Sequence, residues 1–339
     1  MSLYRTELRR LGKRRLTRWA TLLGLLVLGA VLVGVFFTNQ KIDAEQQAIA
    51  KSRAEQQHQD QVREAERERA ACVQAKASGQ DQPEGRYPTD CAMIEAPPRE
   101  SVETQWFLPS TFDFRLSFEE MVITFTSIVA LIGFVVGASF VGAEWNSGGM
   151  MNLLLWRPRR LTVLLTKLAA LLTGLVAVSV AALVVWTAGF WAVATLRGST
   201  AKMTSGAWQS FALTELRGLA LIVVAATLGF ALASLGRHTA MALGGAIGLV
   251  VVGQFGLGII MQMAGARFLE AWLLPTYVLA WMQKKVTLED WESCNATYYG
   301  ECKPDTLDVT WGHASILLVF GLVTILGAAL VTMRRRDIA

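Results

Sequence analysis

The chain has 339 residues, of which 53% are hydrophobic and only 17% charged, with a mean hydropathy of +0.38. A soluble domain carries nearer about a quarter charged residues. Here the apolar residues gather in runs of about 20, the length that crosses a hydrocarbon core of about 30 Å, which excludes a soluble globular protein. The net charge of +5 and the pI near 9.1 do not mark nucleic-acid binding. The basic residues sit beside the apolar runs, and no soluble segment interleaves them with stacking aromatics.

Residues 1–18 come first. Leu3, Leu8, Leu11 and Leu16 recur near helical spacing among Arg5, Arg9, Arg10, Lys13, Arg14, Arg15 and Arg18. The pattern predicts an amphipathic helix lying on the inner leaflet, drawn to anionic lipid; a disordered basic tail that only sets topology is the competing reading. Six spans are then expected, at residues 17–38, 118–141, 161–196, 211–235, 240–264 and 313–333, which makes the fold an all-α membrane protein. The first run is longer than a signal-peptide core and lacks a cleavage site near Thr38, so it reads as a retained helix. The third exceeds one bilayer thickness and is expected to tilt or project.

Segments 1–18, 142–160, 236–239 and 334–339 are short and rich in Lys and Arg, so they are placed in the cytoplasm with both termini. Residues 39–117 and 265–312 then form the two large extracytoplasmic loops. Residues 39–77 contain no Gly or Pro and are rich in Gln, Glu, Ala, Arg and Lys. That predicts the first span continuing outward as a long helical stalk, against partial disorder. In the second loop, residues 268–282 are apolar but too short to span twice, and Pro275 would interrupt a helix. A re-entrant or interfacial hairpin before the sixth span is expected, with Trp272, Leu274, Pro275, Tyr277 and Trp281 as candidates for an outer gate. A helix lying flat on the outer surface is the equal alternative.

The four cysteines, Cys72, Cys91, Cys294 and Cys302, all fall in these loops. An even count on the oxidising face predicts disulfides, and proximity favours Cys72–Cys91 and Cys294–Cys302 among the three connectivities. A zinc site is the alternative, without Cys-x-x-Cys or His spacing to support it.

Glycines recur in the second span (Gly133, Gly137, Gly142) and above all in the fifth (Gly244, Gly245, Gly248, Gly253, Gly256, Gly258). Close helix packing, within a subunit or across a dimer, is the default expectation. Charges within spans are few: Lys167, and Glu215 with Arg217 near the outer end of the fourth span, where snorkelling or loop pairing accounts for them. An ion-driven carrier places ionisable groups near the midplane, so an externally powered transporter is favoured. The chain has no phosphate-cradling Gly-x-x-x-x-Gly-Lys-Ser/Thr loop and no nucleophile or metal motif. It is read as non-catalytic, with no metal or cofactor of its own.

Between the second and third spans lies Glu144-Trp145-Asn146-Ser147-Gly148-Gly149-Met150-Met151-Asn152-Leu153-Leu154-Leu155-Trp156-Arg157-Pro158-Arg159-Arg160. This short amphipathic linker is well placed to receive a push from a soluble partner. It resembles the ABC-2 type permease family, the membrane subunits of type V ATP-binding cassette exporters. The resemblance rests on an acidic residue at the end of the second span (Glu144), a Ser-Gly pair (Ser147–Gly148), a Leu-rich short helix (Leu153–Leu155) and an Arg-Pro turn (Arg157–Pro158). Gly149, where Thr is frequent, and the long loop with Cys72 and Cys91 depart from the family pattern.

The resemblance implies that residues 144–156 contain a coupling helix seated in a separate nucleotide-binding subunit. Glu144, Ser147 and Gly148 would belong to it, Trp145, Met150, Met151 and Leu154 would make apolar contacts, and Arg157, Pro158, Arg159 and Arg160 would complete the basic turn. It implies two permeases with two ATPases, ATP and Mg held by the partner subunit, and a bacterial plasma (inner) membrane location. The expected activity is export of a hydrophobic or amphipathic substrate such as a drug, lipid or peptide. A sensor or mechanotransmission subunit, passing ATPase motion through the stalk to an outer partner, is the alternative.

Overall fold

The computed structural model describes residues 3–78, 88, 90–156, 159–290 and 303–335. In chain order the elements are α1 (Leu3–Lys13), α2 (Arg15–Thr38), α3 (Ala44–Ala77), β1 (Phe112–Asp113), α4 (Phe114–Asn146), α5 (Gly149–Trp156), α6 (Arg160–Arg197) and β2 (Gly198–Ser199). They continue with α7 (Ser205–Gly236), α8 (Thr239–Met263), α9 (Leu274–Gln283), β3 (Lys285–Asp290), β4 (Asp305–Thr310) and α10 (Trp311–Arg335). Six of these helices, α2, α4, α6, α7, α8 and α10, are long and apolar enough to cross a membrane. The chain is an all-α membrane protein. It divides into two compact units, one of residues 1–33, 114–191 and 202–339, the other of residues 34–113 and 192–201.

In the larger unit the tightest seam joins α4 to α7. Gly137 lies so close to α7 that a Cβ there would collide with the Ala226 carbonyl oxygen. Gly229 meets the Phe134 carbonyl oxygen in the same way. Small residues at this spacing let two backbones approach, and van der Waals contact then holds the helices in lipid. Beside this seam a ring cluster gathers Phe114, Phe118, Phe190 and Phe211, each fully or almost fully buried. Phe114 and Phe118 stack at 4.4 Å, and Phe211 meets both edge-on at 5.8 and 5.2 Å.

The glycine-rich α8 behaves differently. Gly244, Gly245 and Gly248 have nothing within 4 Å of a hypothetical Cβ, and the middle of the helix, Leu249–Gly256, is wound as a π-helix. Among the described residues these three glycines are not spent on packing, whereas Gly258 lies within 3.9 Å of Leu273.

Residues 268–282 form a short turn, Leu269–Trp272, and then α9. Phe268 takes a left-handed φ of 51° at the reversal, and Pro275 sits in the first turn of α9, where its missing N–H costs nothing. The sequence reading did not foresee the antiparallel β3–β4 ladder that follows. It pairs Val286 with Val309 and Leu288 with Leu307, and Val286, Leu288 and Val309 pack against Ala280 and Ala314 while Leu307 stays exposed.

The smaller unit is built on α3. It starts afresh: Asn39–Asp43 interrupts the helix, and Asp43 and Gln46 form a reciprocal capping box, with Gln46 N–H donating to Asp43 Oδ1 at 2.7 Å. The expected unbroken extension of the first span is therefore corrected to a break and a second helix. Ala50 and Ala54 are fully buried on the face of α3 that carries the following loop. Arg99 donates to Glu55 at 2.8 Å, and the His58 ring meets the Pro97 carbonyl at 3.2 Å. The Arg99 guanidinium holds the Glu55 carboxyl below its ordinary pKa. Cys72 and Cys91 are joined in a disulfide across a separation of 19 residues. Cys294 and Cys302 lie outside the described residues.

Candidate coupling site

The site begins with a lone acidic residue. Glu7 is the single acid in a strongly basic N-terminal helix, and it lies on the face shared by Leu3, Leu11 and Arg14 at helical spacing. That face is turned into the protein. Leu11 is buried against α6, and a Cβ at Gly174 would lie 2.8 Å from its Cδ2. Tyr4 Oη and Thr173 Oγ1 are 2.8 Å apart. The expected amphipathic helix is present, and one of its faces packs on the chain's own spans while Leu8 and Leu16 remain exposed.

Charges complete this attachment. Lys167 Nζ, fully buried on α6, donates to Glu7 Oε2 at 2.7 Å and lies 2.6 Å from Glu144 Oε2 at the end of α4. Arg14, in the break between α1 and α2, reaches α4, donating to Glu144 Oε1 at 2.8 Å and to the Ser139 carbonyl at 2.9 Å. Arg10 reaches the other oxygen of Glu7 at 3.3 Å. The Phe140 ring lies under both cations, 5.0 Å from the Arg14 guanidinium and 5.3 Å from Lys167 Nζ. Burial of single charges is costly, but here each buried charge meets an opposite partner and hydrogen bonds. The network ties α1, α4 and α6 together where α5 begins.

The connection from α4 to α5 turns on Gly148, whose φ of 73° is in the left-handed region that a side chain disfavours. Ser147 N–H donates to the Ala143 carbonyl and Gly148 N–H to that of Trp145, closing α4. Then α5 runs eight residues. Met150 is fully buried in a core with Val141, Phe140, Leu164 and Leu168, while Asn152 and Leu155 face outward, the latter 77% exposed. The short helix is thus anchored by Met150, with Leu153 packed against the same core, while Asn152 and Leu155 are exposed.

The residues expected to couple therefore divide into two groups. Glu144 and Met150 are turned inward and brace α5; their side chains are not free for a partner. Trp145 is half-buried under the Arg237 guanidinium, 5.0 Å from its ring, and its indole N–H has no acceptor among the described residues. Ser147 and Gly148 are exposed, Met151 is half-buried, Arg159 is exposed and Arg160 opens α6 half-buried. Leu154 lies in α5, but its side chain, with Arg157 and Pro158, falls outside what is described. Glu7 and Arg14 were missed as site residues; the lone acid on the apolar face of a basic helix was the available signal.

The expected gate residues lie elsewhere, around α9. Trp281 Nε1 donates to the Arg217 carbonyl at 3.0 Å, Tyr277 Oη to that of Ala271 at 3.0 Å, and Leu274 N–H to Gln254 Oε1 at 2.7 Å. Trp272 is 56% exposed and Pro275 exposed. These bonds brace α9 on α7 and α8. Among the described residues no group of His, Cys, Asp and Glu could hold a metal ion.

The chain is a multi-pass helical membrane protein with a short helix, α5, between its second and third spans. Residues 1–289 match the model of the ABC-2 family transporter proteins, and the chain belongs to that family. No curated protein and no solved structure matches it. Membership makes the chain the membrane component of an ATP-binding cassette transporter, working with an ATP-binding subunit.

Proposed function

We propose that this chain is the permease of an ATP-driven exporter, carrying no catalysis of its own, and that α5 is the element seated in the ATP-binding subunit. Two permeases assemble with two ATPases, which hold the ATP and Mg. Both termini face the cytoplasm of a bacterial plasma membrane, and the cargo is hydrophobic or amphipathic. The observation that carries the reading is the construction of α5: an exposed Leu155 on a helix locked by Met150 and by the Glu7–Lys167–Glu144–Arg14 network. A push on α5 is passed to α1, α4 and α6 through the buried ion pairs that join them.

Affinity purification of the tagged chain from its native membrane in mild detergent is expected to bring down an ATP-binding cassette subunit in about equal amount, with ATPase activity. Leu155→Asp, at an exposed position, is expected to cut that recovery at least about ten-fold, the effect of losing about 1.4 kcal/mol at the contact, while the chain stays monodisperse. Undiminished recovery would remove α5 from the interface; a chain arriving alone would remove the exporter reading.

A second reading has its own observation. The smaller unit is a 34-residue helix cross-linked to its following loop, which is a form suited to passing movement to an outer partner. Replacing residues 44–107 by a short Gly/Ser linker separates the two readings. Retained export supports the permease, and loss of an outer partner supports the transmission subunit.

A further inference from the structure

Away from the ion network, the larger unit holds a half-buried acidic group on α7. Glu215, on α7, was expected to snorkel or to pair with loop cations. Instead its Oε1 accepts a hydrogen bond from Thr187 Oγ1 of α6 at 2.8 Å. Among the described residues it has no cationic partner. Arg217 turns away, its guanidinium reaching the Met282 carbonyl at 3.5 Å. Glu215 opens on a cleft of about 600 Å³ between α6 and α7, walled by Leu183, Val184, Leu216 and Leu219. Two indoles, Trp191 and Trp208, line the same cleft with ring centroids 5.3 Å apart.

Each feature constrains the ligand. A half-buried carboxylate with one neutral donor is short of counter-charge, and a cation supplied from outside restores it. Indole rings attract cations, most strongly when water is excluded, and both of these line the cleft. One carboxylate and one hydroxyl offer too few oxygens for a hard metal ion, which takes six or so. The apolar walls call for an apolar body on the cation. We infer that this cleft binds an amphipathic organic cation, with Glu215 as its counter-ion and Trp191 and Trp208 as its aromatic walls. This deepens the exporter reading and rests on it only for the statement that the bound cation is cargo; binding itself requires no ATPase.

The test uses the full chain in lipid nanodiscs with tetraphenylphosphonium as probe and tetraphenylborate, the anion of the same shape, as control. Saturable binding of the cation is expected, weaker at least about ten-fold in Glu215→Gln, and weaker by several-fold in Trp208→Ala. Gln can still accept from Thr187, so Glu215→Gln removes charge and keeps the hydrogen bond. The borate is expected to show no saturable binding. Equal affinity of wild type and Glu215→Gln for the phosphonium, or equal saturable binding of both ions, would overturn the site. Phosphonium binding without any co-purifying ATPase would leave the site standing and sink the exporter reading. An ATPase complex that binds no phosphonium would do the reverse.

Discussion

Two parts of this molecule spend glycine in opposite ways. Along α4 and α7, glycines bring two backbones together, and 44% and 56% of their most apolar stretches are buried. Along α8, an even denser run of glycines leaves none of the corresponding stretch buried. The packed side also carries α1 and its ion network; the open side carries a π-wound segment. The difference teaches that a small-residue pattern licenses close approach but does not say to what. On the packed side the partner is in the same chain, as Gly137 against Ala226 and Gly229 against Phe134 show. On the open side the surface faces outward and is available to lipid or to other proteins.

The sharpest way to break the contrast is at Lys167. Its removal leaves Glu7 fully buried with only Arg10 beside it. Lys167→Ala is expected to destabilise the solubilised chain by about 3–5 kcal/mol, measured by denaturant titration in mild detergent. Adding Glu7→Leu to Lys167→Ala is expected to recover part of that loss, since the stranded carboxylate is gone and Glu144 keeps Arg14. Additive losses would show that the pair does not act as a unit.

Gly137→Leu comes next. The new side chain must displace the Ala226 carbonyl, and overpacking of this kind costs about 1–3 kcal/mol. The expected result is a lower midpoint in the same titration. A wild-type midpoint would show that the α4–α7 seam is not the close one described.

Much of this frame was legible before any coordinates. Length and apolar periodicity were enough for six membrane helices, because each span satisfies its own backbone hydrogen bonds and needs no distant partner to be recognised. Glu144 and the turn at Gly148 could also be singled out from the linker. What could not be read was pairing across the chain. Lys167 and Glu7 are 160 residues apart, and nothing local says that they meet. Direction was equally hidden: Met150 stood in the linker as an apolar contact residue, yet its side chain is fully buried. Two local signals were present and went unread. Asp43 and Gln46 form a capping box that starts a new helix, and the alternation Val286, Leu288 with Leu307, Val309 marks a β-ladder.

The exposed face of α5 supplies a smaller test of rigidity. Asn152→Ala removes an exposed polar side chain from a helix whose anchor is Met150. It is expected to change stability by less than about 0.5 kcal/mol, as surface substitutions away from special features do. A loss as large as that at Gly137 would mean that α5 is held along its outer side as well.

The smallest expected effect belongs to α8, and it is the one that decides what the open side is for. Gly245 has nothing within 4 Å of a hypothetical Cβ. In a helix, Gly costs about 0.5–1 kcal/mol relative to Ala, because it loses more backbone freedom on ordering. Gly245→Ala is therefore expected to leave the isolated chain unchanged or slightly more stable in detergent. The larger Gly245→Leu is expected to be tolerated there too, since the position is exposed among the described residues. Size-exclusion chromatography of the same variants reads the other half of the question. If Gly245→Leu keeps the stability of the single chain but lowers its self-association, the α8 glycines serve contact between two copies. If both readings are unchanged, α8 faces lipid, and its glycines act through the winding of the helix rather than through a partner.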